Sequence, residues 1–392
     1  MGSLRVMKSR MLALLLTVAA AGSLRAGSVD AGRIEQAEPK GEALFDKIWS
    51  IPKLYRDDHN PVIEEFDIIG RLHEDYFNVD SNRGNVSFWE MRRFRLGIDA
   101  FLVDRHVEFE AEVDTALHAY HSPSIFYYRM SNLWVRFVVS DAFNIRFGKF
   151  QSRFGCDREF SNNYMKTFER GMFDDQLTGG TDYVTGVEVT GKLGHVGYLA
   201  GVFSGNLDKE FGQFNGGQAY LAELSYDFAH AWHAEKALWA FDYMHADGKN
   251  ENTNVFTNYR QAFATYFDLE KGRFSLVPQF GYGEQVSRKG DLYSFQIMPG
   301  YKITDKLEFL VRYQLGIASE SNGITTLNRQ QKTVGSFTGD TYNACYLGLN
   351  YYIYGHRLKL MFGEEYARLS GGTGPNAGYN GWTTLVGLRM FF

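Results

Sequence analysis

Cysteine is nearly missing from these 392 residues: Cys156 and Cys345 stand alone and far apart, so they read as free thiols and not as a disulfide framework. Proline is scarce, with 7 residues, and little interrupts extended segments. Long apolar runs are scarce too. The clear one, Met11 to Ala21, follows Arg5, Lys8 and Arg10 and precedes small residues near Ala26. It is too short for a spanning helix and reads as a secretory leader over residues 1–26. No cysteine stands just after it to carry a lipid. Basic excess is also missing. The formal charge is −5, and loss of the four basic residues of the leader takes it to −9, which excludes a nucleic-acid partner.

Aromatic residues and glycine are abundant, with 32 Phe, 24 Tyr and 41 Gly. That mixture suits β-strands joined by glycine-rich turns. From Asp67 onward apolar and polar residues alternate with period two in segments of about ten residues. Val107, Phe109, Ala111 and Val113 interleave with Glu108, Glu110, Glu112 and Asp114. The alternation predicts sixteen strands near 66–77, 88–101, 105–114, 130–139, 142–151, 183–191, 195–204, 218–228, 236–245, 258–268, 272–283, 291–301, 305–317, 342–353, 356–369 and 381–392.

The connections alternate as well. Short links, such as Val103-Asp104, Ser140-Asp141 and Tyr354-Gly355, separate longer stretches at 78–87, 115–129, 152–182, 205–217, 246–257, 284–290, 318–341 and 370–380. Outer-membrane barrels show this asymmetry, with short periplasmic turns and long outer loops. A soluble β-sandwich is the alternative, but its strands average about 5–6 residues, whereas these have the length of a tilted membrane crossing. A sheet in lipid must close, because open edges would leave backbone groups unpaired. The last strand, Trp382 to Phe392, alternates throughout and ends on an aromatic, a signal for the barrel-assembly machinery.

The reading is an all-β, sixteen-stranded antiparallel transmembrane barrel over residues 66–392 in the outer membrane of a Gram-negative-type bacterium. Residues 27–65 form a short periplasmic segment. Within it Leu44, Phe45, Ile48 and Trp49 mark an amphipathic stretch, a helix or linker too short to plug a wide barrel.

Several runs resemble the phosphate-selective porin O/P family. They are Arg92-Arg93-Phe94-Arg95-Leu96-Gly97, the strand Glu108 to Asp114, Phe147-Gly148-Lys149-Phe150, Phe154-Gly155 and Phe168-Glu169-Arg170. Further on come Gly201 to Asn206, Thr304 to Leu307, Val311-Arg312-Tyr313 and Leu347 to Tyr352. The resemblance implies a homotrimeric porin whose third loop folds into the pore. Arg153 stands where the family often has proline, so the resemblance does not carry phosphate selectivity with it.

With the apolar parity facing lipid, the other parity lines the pore. This predicts Arg71, Arg93, Arg95, Glu108, Glu110, Glu112, Arg136, Arg146, Arg260, Arg312, Lys359 and Arg389 as lining residues. At least half of them should form cross-strand pairs; unpaired members would set ion preference. The longest connection, Gln151 to Asp182, is the candidate constriction loop and carries Arg153, Asp157, Arg158, Lys166, Glu169 and Arg170. A weak anion preference follows if Arg93, Arg95, Arg136 and Arg146 escape neutralisation.

No catalytic, metal or cofactor arrangement emerges. His118 and His121 lack a third ligand, and Gly281-Tyr282-Gly283 lacks the strand-to-helix setting of a nucleotide motif. Two functions remain: a water-filled channel for passive diffusion of small, possibly anionic (phosphate-like) hydrophilic solutes, or a structural or receptor barrel whose outer loops bind a partner.

Overall fold

The structure is a computed structural model that describes residues 43–392 except 121–123, 160, 179–182, 206–209, 215–216, 248–258, 286–289 and 327. The leader expected over 1–26 and His121 lie outside the described residues.

The chain begins with helix α1 (Ala43–Ser50) and a short strand β1 (Lys53–Arg56). Then come β2 (Ile63–Ser81), β3 (Gly84–Leu102), β4 (Val107–Ala116), β5 (Ile125–Ser140), β6 (Phe143–Gln151), β7 (Tyr183–Leu193), β8 (Val196–Ser204), β9 (Gln218–Asp227) and β10 (Lys236–Ala246). They are followed by β11 (Tyr259–Lys271), β12 (Phe274–Gln285), β13 (Leu292–Lys302) and β14 (Leu307–Ala318). The two-residue strands β15 (Ile324–Thr325) and β16 (Thr338–Gly339) pair within one outer loop, and β17 (Thr341–Tyr354), β18 (Leu358–Ser370) and β19 (Tyr379–Phe391) complete the chain.

Each barrel strand pairs antiparallel with its neighbour, and β19 returns to β2 from Gly381↔Ser81 to Phe391↔Arg71. The sheet is therefore a closed barrel of sixteen strands, β2 to β14 and β17 to β19. All sixteen lie where the alternation put them. Apolar side chains such as Phe147, Phe280, Leu347 and Val386 are exposed on the outer face, as a lipid-facing wall requires. Paired aromatics mark both rims: Tyr366 with Trp382 and Tyr282 with Tyr293 at the long-loop end, Phe274 with Tyr301 at the other.

Several boundaries differ from the sequence reading, among them β5, which starts at Ile125 and not at 130, and β11, which runs to Lys271 and not to 268. The first barrel strand starts at Ile63, three residues before the expected 66. The expected outer loop at 78–87 is a tight turn at Asn82-Arg83, with Asn78↔Ser87 and Val79↔Val86 still paired. The polar residues there alternate with Phe77, Val79, Val86 and Phe88, which pack inward, so the hairpin rises past the membrane without a change of period.

The N-terminal segment completes the seam. β2 extends beyond the end of β19, and β1 covers its bare edge through Lys53↔Asp67, Tyr55↔Phe66 and Arg56↔Glu65. Helix α1 lies against the same rim: Phe45 and Trp49 pack on Tyr354 at 5.4 and 5.1 Å, and Trp49 donates to the Phe391 carbonyl at 2.6 Å. Cys156 is buried inside the barrel and Cys345 is exposed on its outer face, so the two thiols lie on opposite sides of the wall.

Candidate functional site

The connection between β6 and β7, the third at the long-loop end, runs into the lumen. It contains two short helices, α2 (Cys156–Glu159) and α3 (Met172–Leu177). Its backbone is held by inward side chains of distant strands. Gly155 N donates to Asp242 of β10 at 2.6 Å, Cys156 N to Gln279 of β12 at 2.6 Å, and Met172 N to Gln314 of β14 at 2.7 Å. On β17, the strand paired with β14, Asn350 donates to the Lys166 carbonyl at 2.9 Å. Lys359 of β18 donates to the Met165 carbonyl at 2.5 Å. The loop therefore spans the barrel from wall to wall.

Apolar packing fixes one flank of this loop. Phe154, Met172, Phe173 and Leu177 are buried with Phe150, Phe203, Leu221, Met244, Tyr259 and Tyr342 of the wall. The wall makes room with glycine. A Cβ on Gly316 would meet the Phe173 ring at 2.0 Å, and one on Gly281 or Gly283 would lie 3.0 or 2.8 Å from Leu177. Gly281-Tyr282-Gly283 is thus a seat for Leu177. Within the loop Gly155 has φ +80°, and a Cβ there would reach Asp174 at 2.6 Å.

The loop's charges are tethers. Glu169 accepts from Arg92 at 2.5 Å and has Arg93 at 3.6 Å. Burial opposes its ionisation, but the two arginines outweigh that and hold the carboxyl below its ordinary range. Lys166 bridges Glu270 and Glu308, each at 3.0 Å. Arg158 meets Asp175 at 2.7 Å, and Arg170 donates to the Asp157 carbonyl at 2.8 Å. Asp157 also accepts from Gly171 N at 2.5 Å. Arg153 meets Glu188 at 2.9 Å and Glu159 at 3.6 Å.

The wall charges pair in the same way. Glu112 lies between Arg71 at 2.7 Å and Arg95 at 3.2 Å, and Arg95 also reaches Asp114 at 3.1 Å. Arg136 pairs with Glu108, Arg146 with Glu188 at 2.8 Å, and Arg389 with Asp75. Glu110 accepts from Asn132 at 2.6 Å. Arg312 donates to the Glu169 carbonyl at 2.9 Å and lies 3.6 Å from Glu365. Lys359 makes its contacts to carbonyl oxygens and to His356.

Two expectations are corrected here. Arg93, Arg95, Arg136 and Arg146 each face a carboxylate, so they do not escape neutralisation as a free-arginine filter requires. Arg260 is exposed: the register shifts between Tyr259 and Gln261, and Tyr259 takes the buried inward position. A bulge is one residue long and flips parity, which a count by twos cannot see. A second bulge, between His73 and Glu74 opposite Arg93 and Met91, turns Arg92 inward beside Arg93. The adjacent Arg92-Arg93 pair was the only sequence sign of it. His118 stacks on Phe88, and no metal-binding group of three occurs among the described residues.

Among the described residues, cavities open in the lumen on either side of the loop. One, of about 350 Å³, lies along β2 to β6 and is lined by Arg71, Glu110, Glu112, Arg136 and Arg146. The other, of about 1030 Å³, lies along β7 to β14 and is lined by Lys166, Glu223, Asp268, Glu270 and Lys302. Arg153, Glu159 and Tyr164 of the loop border both.

A family model for phosphate-selective porin O and P matches residues 66–366. No curated protein matches the sequence. Among solved structures, OmpF of Salmonella typhi in complex with daunomycin superposes with a TM-score of 0.61 at 11% identity, over 87% of this chain and 100% of that one. OprB of Pseudomonas putida gives 0.59 at 12%, over 83% and 94%. The outer membrane channel DcaP of Acinetobacter baumannii gives 0.55 at 12%, over 86% and 100%. At such identities the likeness concerns the fold.

Proposed function

Because this chain belongs to the phosphate-selective porin O and P family and is an outer-membrane porin for passive diffusion, we propose that its third loop is the constriction that sieves small hydrophilic solutes. The observation that carries this reading is the loop's attachment, from its root between β6 and β7, to the facing arc of wall from β10 to β18 through Asp242, Gln279, Gln314, Asn350 and Lys359. A loop held at so many points narrows the lumen permanently, and sieving by size follows.

In this reading the paired wall charges keep the lumen wet and rigid, with no single-sign filter. Passage of phosphate-like anions has the family description as its support. Residues 1–26 serve as the leader. Three chains assemble as a homotrimer, and the terminal strand through Phe392 addresses the barrel-assembly machinery. The homotrimer rests on the family resemblance, and the address on the alternating last strand that ends on an aromatic.

Planar-bilayer recordings of the purified porin test the reading. Stepwise ohmic conductance is expected, with larger steps when the loop tethers Asp242 and Gln314 are replaced by Ala. Equal step size in wild type and variant would remove the loop from the constriction.

A further inference from the structure

The seventh connection at the long-loop end, between β14 and β17, also turns inward. Its hairpin of β15 and β16 is closed by Thr326 N, which donates to the Phe337 carbonyl at 3.0 Å, and by Phe337 N, which donates to Thr326 Oγ1 at 3.1 Å. Between the arms Asn328 accepts from Gln330 N and Gln331 N at 3.0 and 3.2 Å, an Asx turn that starts one helical turn, Gln331–Val334. Thr326, Gln330 and Gln331 are buried. A loop that stands in water exposes such polar side chains, so this one lies inside the mouth.

Its anchors stand on both sides of the barrel seam. At the root Gln331 donates to the Tyr342 hydroxyl of β17 at 3.1 Å, and both Gln331 and Asn328 donate to Glu365 of β18 at 3.3 Å. In the middle Phe337 stacks on Tyr379 of β19 at 5.8 Å, and Arg83 of the β2–β3 turn lies 4.9 Å over the Phe337 ring. At the far end Arg329 donates to both oxygens of Glu90 on β3, at 2.9 and 2.6 Å. The loop therefore crosses in front of consecutive strands β17, β18, β19, β2 and β3.

The third loop is fastened to the same arc, but nearer the periplasm. On β17, whose outer end is Thr341, the seventh loop takes Tyr342 and the third takes Asn350. On β18, whose outer end is Ser370, they take Glu365 and Lys359, and on β3, which starts outside at Gly84, they take Glu90 and Arg92. The two loops are thus stacked. Arg312 joins them, since it donates to the Glu169 carbonyl of the third loop and lies 3.6 Å from Glu365. The fork of Arg329 on Glu90 is bidentate and charge-assisted. Glu90 is fully buried, so loss of Arg329 leaves its carboxylate uncompensated and the loop unfastened at that end. We propose that the seventh loop is a second sieve in series with the third. Pinned by Arg329 to Glu90, it shuts the outer mouth over β17 to β3 and sets the size of solute that reaches the third loop.

The test is polymer exclusion measured from each side. The full mature porin is inserted into planar bilayers from one chamber, and polyethylene glycols of graded size are added to one side at a time; a polymer that enters the channel lowers the conductance step. A polymer just excluded from the wild-type outer mouth should enter Arg329→Ala and lower its step, while the cut-off on the periplasmic side stays at the wild-type size. Arg329→Lys keeps the charge without the fork and should shift the outer cut-off less. Glu90→Gln is the second variant and should act in the same direction as Arg329→Ala; heat-modifiable gel mobility shows which variants are folded. Equal outer cut-offs in wild type and the folded variants, or an equal rise on both sides, overturn the proposal. It fails separately from the third-loop reading. A raised outer cut-off in Arg329→Ala, beside unchanged steps when Asp242 and Gln314 are replaced by Ala, keeps the seventh loop as a sieve and removes the third; the reverse pair of results removes the seventh alone.

Discussion

Gly70 and Phe392 exchange both backbone hydrogen bonds, at 3.1 and 3.0 Å, and form the last pair of the barrel seam. A Cβ on Gly70 would stand 2.5 Å from the Phe392 ring, so the terminal aromatic lies over the glycine on the outer face. Gly70→Val should therefore displace the ring and lower the yield of heat-modifiable, folded barrel, as should deletion of Phe392. Gel mobility without boiling measures both. Wild-type yield in the two variants would mean that this pair does not help close the seam.

Glu112 carries a second prediction. It is 1% exposed and neutralises Arg71 and Arg95 together, while also accepting from Ser131 at 2.8 Å. Removing one member of a buried ion-pair network costs about 3–5 kcal/mol, because the partners stay buried and uncompensated. Glu112→Ala should lower the urea midpoint of unfolding in micelles far more than Glu110→Ala, whose carboxylate meets an amide.

The contact of Glu169 with Arg92 and Arg93 should make the constriction sensitive to strong acid. Its carboxyl is depressed in the folded chain despite burial, so the stabilisation is fully present above the ordinary carboxylate range and is lost as pH falls through the folded value. Current through single channels should stay quiet from neutral pH down to about 4, near the unperturbed glutamate value, and become noisy below that. Arg92→Gln should bring the noise to higher pH. Identical pH profiles would show that Glu169 does not hold the loop.

The bulge at Arg260 is open to chemical labelling. In whole cells a membrane-impermeant thiol reagent should modify Arg260→Cys much faster than Tyr259→Cys, because Arg260 is exposed and Tyr259 is 1% exposed. The reverse order would restore strict alternation along β11 and return Arg260 to the lumen.

The sequence by itself determined the sixteen strands, their faces and the ends at which the chain turns. Those properties are local: a side chain points away from its neighbour's face whatever strand lies beside it. The Glu108 to Glu112 run against Phe109 and Ala111 is enough to orient β4. Pairing is not local. Glu112 meets Arg71 and Arg95 through neighbouring strands, and the shear of the closed barrel decides which residues stand at the same height. One-residue bulges at Arg92 and Arg260 exchange faces without altering composition. The loop after β6 reads as a mixed-charge connection, and only its contacts with Asp242, Gln314 and Lys359, strands away, send it into the lumen. The tertiary structure therefore decided which arginines are neutralised, because that depends on side chains brought together across the barrel.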